Sequence, residues 1–190
     1  ERHLISRQHA RAEDDSPRDV AVGADESFAI MVNEEDHLRL QVLRSGMQLA
    51  EAFTQIDQID DALEQELDYA FSRRFGYLSA CPTNVGTGIR VSVMLHLPAL
   101  RLTGEIEKVR RAAREMQLAV RGMFGEGSEA LGDLYQISNQ TTLGRSEQEI
   151  VSDFQHTVVP QIVAYEQQAR QALLQQRPMQ LDDRVWRAWA

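Results

Sequence analysis

Residues 76–97 constrain this chain more than any other stretch. Gly76-Tyr-Leu-Ser-Ala-Cys81-Pro-Thr-Asn-Val-Gly86-Thr-Gly88-Ile-Arg90 holds the only cysteine, two loop glycines and an arginine, and it turns directly into the apolar run 91–97. A small thiol therefore sits beside an anion-binding type of loop, with a cation at the start of a strand that reads as buried. That layout points to chemistry on a phosphate-bearing substrate rather than to a plain core element.

The remaining composition narrows the field. The chain has 190 residues, 43% of them apolar, which is enough for one domain, or most of one, with a real core. The formal charge is −9 and no long basic run exists, so nucleic acid is not the expected partner. Lys108 is the only lysine, and the arginines are read one by one as fixed, planar, forked cations. A single cysteine excludes an internal disulfide framework and a cysteine-rich metal site, and fits a reducing, cytoplasmic compartment. No apolar run approaches the roughly 20 residues that span a bilayer, so no membrane association is expected. The chain opens at Glu1 and closes in Leu181-Asp-Asp-Arg-Val-Trp-Arg-Ala-Trp-Ala190, which reads as a piece of a longer protein.

Residues 8–26 are polar and read as a surface loop. Strands are expected over 27–32 and 37–43, the second with Leu38, Leu40 and Val42 alternating with polar residues. Apolar groups at Leu49, Phe53, Ile56, Ile59, Leu63, Leu67 and Ala70 predict an amphipathic helix over 47–73 with an acidic, solvated opposite face. A strand is expected over 89–97, then a helix N-capped by Thr103 with Glu105 in its first turn, running to about residue 118. Strands over 119–124 and 134–138 flank a glycine-rich turn at 125–129. Ser146 and Glu149 predict a capping box for a long final helix that Pro160 should kink or split. The sum is an α+β fold, a mainly antiparallel β-sheet flanked by α-helices.

Three segments carry groups that do chemistry: Asn33-Glu34-Glu35-Asp36-His37-Leu38-Arg39, the loop from Cys81 to Arg90, and Arg121-Gly-Met-Phe-Gly-Glu126-Gly-Ser-Glu129. Each has a plain explanation when taken alone. A charge run is commonly a solvated turn, a lone cysteine a small hydrophobe, and a glycine-rich stretch an ordinary turn. Taken together they form a coherent set: Arg39, Arg90 and Arg121 as cations, Glu35 and Glu126 as carboxylates, and Cys81. Several arginines can grip a triphosphate where no Gly-x-x-x-x-Gly-Lys-[Ser/Thr] loop exists, and this chain has none. Carboxylates match a planar guanidinium bidentately. A guanidinium is also fully protonated near neutrality, so its nitrogen attacks phosphorus only if a carboxylate orients it and takes its proton.

In order and spacing the three segments resemble the active-site motifs of the phosphagen (ATP:guanidino) kinase family. Cys81-Pro-Thr-Asn-Val-Gly-Thr-Gly88 is the most specific of them. Val93-Met-Leu-His-Leu-Pro-Ala-Leu100, Gly125-Glu-Gly-Ser-Glu-Ala-Leu-Gly132, Gln136-Ile-Ser-Asn-Gln140 and Leu143-Gly144 are similar to the bacterial protein-arginine kinase branch. The resemblance implies that family's glutamine-synthetase-like catalytic fold, with residues 1–178 forming the C-terminal part of the catalytic domain and 179–190 the start of a further segment.

The resemblance also implies residue roles. Glu35 matches the carboxylate that orients and deprotonates the guanidinium, Glu126 a second substrate carboxylate on a closing loop, and Cys81 the thiol beside the guanidinium. Arg39, Arg90 and Arg121 match arginines on the ATP phosphates, and His3 a histidine near the nucleotide base. Glu34 and Glu129 are left as support. Magnesium is expected on phosphates and water, with no protein ligand nominated. The implied reaction moves the γ-phosphoryl group of ATP, with Mg2+, to arginine in protein substrates. Implied partners are a stress-gene repressor, unfolded proteins, an activator protein and a Clp-type protease that degrades the marked proteins, with a homodimeric parent. Two other readings stand beside this one: a small-guanidine kinase acting on free arginine or a relative, and a nucleotide-binding fragment without turnover. The family's Ser-Ser-Arg-x-Arg type segment, which supplies further phosphate-binding arginines, is not in these 190 residues. Weak activity or none is therefore expected of this stretch by itself.

Overall fold

The computed structural model describes residues 4–10, 17–122 and 131–189. In chain order the elements are α1 (Arg7–Ala10), β1 (Asp19–Val22), β2 (Phe28–Val32), β3 (Leu38–Val42), α2 (Leu49–Glu64), β4 (Phe71–Ser72), β5 (Gly76–Tyr77) and β6 (Ser92–His96). They continue with α3 (Pro98–Leu102), α4 (Ile106–Glu115), β7 (Leu118–Gly122), β8 (Leu134–Asn139), α5 (Glu147–Asp153), α6 (Val159–Gln176) and α7 (Pro178–Trp189). Every pairing among these strands is antiparallel, as the α+β reading requires. The strands form three small sheets, with orders β1-β2-β3, β4-β5 and β6-β8-β7.

The chain divides into two compact units. The first takes residues 1–91 and 141–155, the second residues 92–140 and 156–190. In the first unit, β2 is the central strand of its sheet, and its Ala29 and Met31 are fully buried. Ile150 and Phe154 are almost as deeply buried there. The expected loop over 8–26 is only partly a loop, because β1 adds an edge strand from Asp19↔Val32 to Val22↔Ala29. Its Asp-Val-Ala-Val sequence is mostly exposed, so it lacks the apolar alternation that would reveal it in the sequence.

Helix α2 stops at Glu64, well short of residue 73. Apolar spacing continues through Leu67 and Ala70, but Asp60, Asp61 and Glu64 load the helix end with negative charge, and its last turn has no basic residue. That arrangement opposes the helix dipole. Beyond the helix, Tyr69 folds back and donates its hydroxyl to Asp60 Oδ1 at 3.1 Å. It also sets its ring edge-on to Tyr77, 5.9 Å between centroids, with Phe71 5.2 Å from Tyr77 on the hairpin. The aromatic cluster overrides the helical period.

In the second unit, β8 lies between β6 and β7, and Ile137, Tyr135, Leu118 and Leu97 are buried. The helix expected from Thr103 to about residue 118 is α4, shorter at both ends, and an additional short helix, α3, precedes it. Pro98 starts α3 in its first turn, where a missing N–H costs nothing. Thr103 closes α3 instead of opening α4, and its Oγ1 lies 2.9 Å from the Ala99 carbonyl. Buried Glu166 on α6 accepts the Ala99 and Leu100 N–H groups at 3.1 and 3.0 Å, satisfying two donors at the start of α3 from another helix.

The capping box is present as expected. Ser146 Oγ accepts the Glu149 N–H at 3.2 Å, and Glu149 Oε2 accepts the Ser146 N–H at 2.8 Å. Pro160 also has its effect. The chain makes one wide π-helical turn, Phe154–Val158, and restarts as α6 with the proline in its first turn.

Candidate functional site

The loop that carries Cys81 is held from two sides within the first unit. On one side stands Thr142. Its carbonyl accepts the Thr87 N–H at 2.9 Å, and its Oγ1 lies 2.9 Å from the Thr83 carbonyl and 2.8 Å from that of Val85. Gly86 is buried directly against that residue, with φ +116°. Gly76, with φ +77°, meets Gly86 from the hairpin, and Tyr77 and Gly86 exchange backbone hydrogen bonds of 2.8 and 3.1 Å. The glycines are thus needed for backbone crossings, where no side chain has room.

On the other side stands Asp36, from the turn between β2 and β3. Ser79 Oγ donates to its carboxylate, 2.8 Å from Oδ1 and 2.7 Å from Oδ2. The Ala80 N–H donates to Oδ1 at 2.6 Å, and Asn84 Nδ2 lies 3.4 Å from Oδ2. Ser79 Oγ in turn accepts the Cys81 N–H at 3.1 Å. Cys81 is half-buried, and its Sγ lies 3.0 Å from Thr83 Oγ1. The structure therefore brings two of the three sequence segments together, the turn with Glu35 and the loop with Cys81.

Inside that turn the two adjacent glutamates take different places. The Glu34 side chain is 1% exposed and pairs with Arg39, Nη1 to Oε1, at 3.2 Å. It also accepts the Ser6 hydroxyl at 2.6 Å and the Glu35 N–H at 2.8 Å. Burial pulls the Glu34 carboxyl up, but the Ser6 and Glu35 donors and the Arg39 guanidinium outweigh it and hold it below the ordinary glutamate range. Glu35 is exposed. Its neighbour is locked in place, and Glu35 itself is presented outward from a braced backbone.

Arg39 lies on β3 and Arg90 in the loop just ahead of β6; both are exposed and both belong to the first unit. Arg121 belongs to the second unit. It lies half-buried on β7 in a cross-strand row with Gln136 and Met94, next to a row formed by Ala119, Ser138 and Ser92. His3, Glu126 and Glu129 fall outside the described residues. Asp36 and Thr142 are the two site residues that sequence reasoning missed. Asp36 was visible only as one more acid in a charged run, and Thr142 had no local signal at all.

A depression of about 430 Å³ on the first unit borders the loop through Gly86 and Thr87, and Phe71, Arg74, Tyr77 and Arg145 also line it. None of Glu35, Arg39, Cys81 and Arg90 lines this depression. Among the described residues, no group of three or more histidines, cysteines and acids is placed to hold a metal ion. No helix among them is long and apolar enough to cross a membrane.

Known proteins share this arrangement of sequence and fold. Residues 1–169 match the family model of the ATP:guanido phosphotransferase C-terminal catalytic domain. A protein-arginine kinase of Halothermothrix orenii is 52% identical over 189 residues, covering 100% of this chain and 53% of that protein. One from Geobacillus stearothermophilus is 52% identical over 190 residues, covering 51% of its length. The chain spans about half the length of the relatives it matches. Among solved structures, a lombricine kinase superposes with TM-score 0.71 at 33% identity, over 80% of this chain and 43% of the other. The duplicated taurocyamine kinase of Schistosoma mansoni, with bound transition state analog components, gives TM-score 0.69 at 29% identity, over 80% of this chain and 20% of the other. The chain belongs to the ATP:guanido phosphotransferase family, of which it carries the C-terminal catalytic domain.

Proposed function

We propose that this chain is the catalytic portion of a kinase that transfers the γ-phosphoryl group of MgATP to the guanidinium of arginine in proteins. The observation that carries the reading is the anchoring of the Cys81 loop to the Glu35 turn through Asp36. A carboxylate and a thiol loop tied together suit a planar, protonated acceptor, which must be both oriented and deprotonated.

In this reading a guanidinium nitrogen attacks the γ-phosphorus while the bond to the β,γ-bridging oxygen breaks. ADP leaves with that electron pair, an N–P bond forms, and the nitrogen's proton passes to the Glu35 carboxylate. Glu126 acts as the second substrate carboxylate, and the Cys81 thiol lies along the guanidinium and favours the reactive geometry. Arg39, Arg90 and Arg121 neutralise charge on the phosphates with fixed cations that cannot deprotonate. Magnesium supplies charge neutralisation on the phosphates when bound. The same reading assigns His3 to recognition of the nucleotide base.

Protein arginine is favoured over a small guanidine by the degree of likeness. The protein-arginine kinases are about half identical over the whole chain, while the lombricine and taurocyamine kinases are about a third identical or less over part of it. The wider reading follows from the same likeness. The cytoplasmic parent is a homodimer and works with an activator. It marks unfolded proteins and a stress-gene repressor, and the mark leads to a Clp-type protease. We place the end of the catalytic domain at residue 178, where α7 begins and where Trp186 and Trp189 are exposed.

The test is incubation with labelled ATP and a protein substrate, alone and with the upstream part of the parent protein restored. Acid-labile phosphate on arginine of the protein is the expected product. Label on free arginine alone would transfer the assignment to a small-guanidine kinase. No label even with the upstream part present would leave a nucleotide-binding protein without turnover.

A further inference from the structure

We propose that Asp36 is a positioning residue that sets the thiol loop against the guanidinium-binding carboxylate. The inference rests on the reading of Glu35 and Cys81 given above. Asp36 follows Glu35 directly, so its backbone moves with the turn that presents that carboxylate. Its side chain reaches 43 residues along the chain to Ser79, 44 to Ala80 and 48 to Asn84. These three donors lie on both sides of Cys81, and one of them, Ser79 Oγ, also receives the Cys81 N–H. The path from the Glu35 peptide to the Cys81 backbone is thus one carboxylate and one hydroxyl long.

The chemistry of the position calls for aspartate. A hydroxyl, a backbone N–H and an amide NH2 all point at the same group, which must accept on both oxygens, as an ionised carboxylate does. Bonds to an ionised acceptor are shorter and stronger than neutral ones, and those from Ser79 and Ala80 are 2.6–2.8 Å. Asparagine would present a donor to at least one of these donors. Glutamate would push the loop outward by one methylene. Asp36 touches no reacting atom in this scheme; it acts through the loop it holds.

The experiment has two readouts on the same protein. The first is the rate at which iodoacetamide alkylates Cys81, the only thiol, under native conditions, and it needs no activity. The second is kcat and KM for ATP in arginine phosphorylation. Asp36→Ala is expected to speed alkylation about 10-fold and to lower kcat about 10²-fold with KM for ATP within about threefold, because a reacting group displaced by about 1 Å costs that much. Asp36→Asn and Ser79→Ala fall between this variant and the parent, and Asp36→Glu does not rescue. The double variant Asp36→Ala/Ser79→Ala is no worse than Asp36→Ala, since both act on one network.

Alkylation within about twofold of the parent in Asp36→Ala and Ser79→Ala, with native circular dichroism and unfolding midpoint, overturns the proposal. So does a loss seen equally in KM and kcat. Should Asp36→Ala fail to fold, Asp36→Asn and Ser79→Ala decide by the same two criteria. If the unsubstituted protein phosphorylates no arginine even with the upstream part restored, the functional reading falls, and the alkylation rates still decide whether Asp36 sets the loop.

Discussion

The carbonyl oxygen of Thr142 fills the space that a side chain on Gly86 would need. A Cβ there would lie 2.2 Å from that oxygen, with backbone on both sides of the contact. Gly88, two residues on, also has a positive φ of +64°, but its nearest foreign atom is Asn84 O at 3.8 Å. Gly86→Ala must therefore move the loop off Thr142, while Gly88→Ala only strains its own backbone. The expected losses of stability are about 3 kcal/mol or more for Gly86→Ala and about 1 kcal/mol for Gly88→Ala. Urea unfolding of the two variants checks this, and equal losses would mean that the loop is not seated on Thr142.

That contact also marks the limit of what could be read from sequence. Local signals were legible. Ser146 and Glu149 lie three residues apart, and Pro160 acts on its own turn, so both outcomes followed from chain geometry. The three motif segments were legible because each is continuous. The anchors were not. Asp36 meets its partners across 43–48 residues, and Thr142 meets Thr83 and Val85 across 57–59. Nothing in a stretch of ten residues encodes such a pairing. The end of α2 has a shorter-range cause: Tyr69 is drawn from the helical period by Asp60 and Tyr77, nine and eight residues away, outside the three- and four-residue spacings by which a helix is read.

The proposed chemistry ranks three substitutions. Glu35→Gln removes the proton acceptor, and turnover is expected to fall by more than about 10²-fold. Glu126→Gln removes a second orienting carboxylate and costs about 10²-fold. Cys81→Ser keeps a small polar group at the same place and costs less than Glu35→Gln, because the thiol orients the acceptor and carries no proton. Steady-state kinetics on a protein substrate give the order. Equal losses for Cys81→Ser and Glu35→Gln would give the thiol a larger part, and unchanged turnover in Glu126→Gln would remove that residue from the site.

Glu166 separates a capping role from an ion pair. Its Oε1 accepts the Ala99 N–H and its Oε2 the Leu100 N–H, and Arg170 Nε donates to Oε1 at 2.6 Å. The glutamate side chain is 6% exposed and the arginine side chain 51%. Glu166→Ala strands two buried backbone donors and is expected to cost about 3 kcal/mol. Arg170→Ala removes only a partner held in water and is expected to cost less than about 1 kcal/mol. Chemical denaturation of both variants tests the division, and a larger loss for Arg170→Ala would reverse it.

Ser6 and Glu34 predict an acid-dependent term. The Glu34 carboxyl is held below its ordinary value of 4.5, so it adds stability that is fully present above that pH and is lost as the pH falls through its folded pKa. Ser6→Ala removes the 2.6 Å hydroxyl donor that does much to offset its burial. The variant is expected to be less stable by about 1 kcal/mol near neutrality, with the gap to the parent closing as Glu34 protonates. Unfolding free energies measured from about pH 3 to pH 7 give the curve. A gap that stays constant over the range would mean that Ser6 acts through packing and not through this carboxylate.

Asp60 predicts the opposite sign. Burial raises its carboxyl above the ordinary 3.8; the Tyr69 hydroxyl counters this in part, and Glu64, Asp61 and Asp57 add to it. A raised carboxyl is one whose ionised form the fold disfavours, so it subtracts stability at neutral pH and the penalty fades as the pH falls through its folded pKa. Asp57 and Glu64 stand three residues before and four after it on α2, the spacing at which like charges face each other. Asp60→Asn keeps an oxygen for the Tyr69 hydroxyl and removes the charge. The variant is expected to gain about 0.5 kcal/mol at neutral pH, from relief of the two like-charge pairs, and nothing at a pH where Asp60 is already protonated. Added salt should shrink the gain, because screening already weakens the repulsion in the parent. Thermal or urea unfolding at two pH values and two salt concentrations is sufficient. A loss of stability at neutral pH would mean that the aspartate's charge is needed to hold Tyr69, and that the aromatic turn closing α2 depends on it.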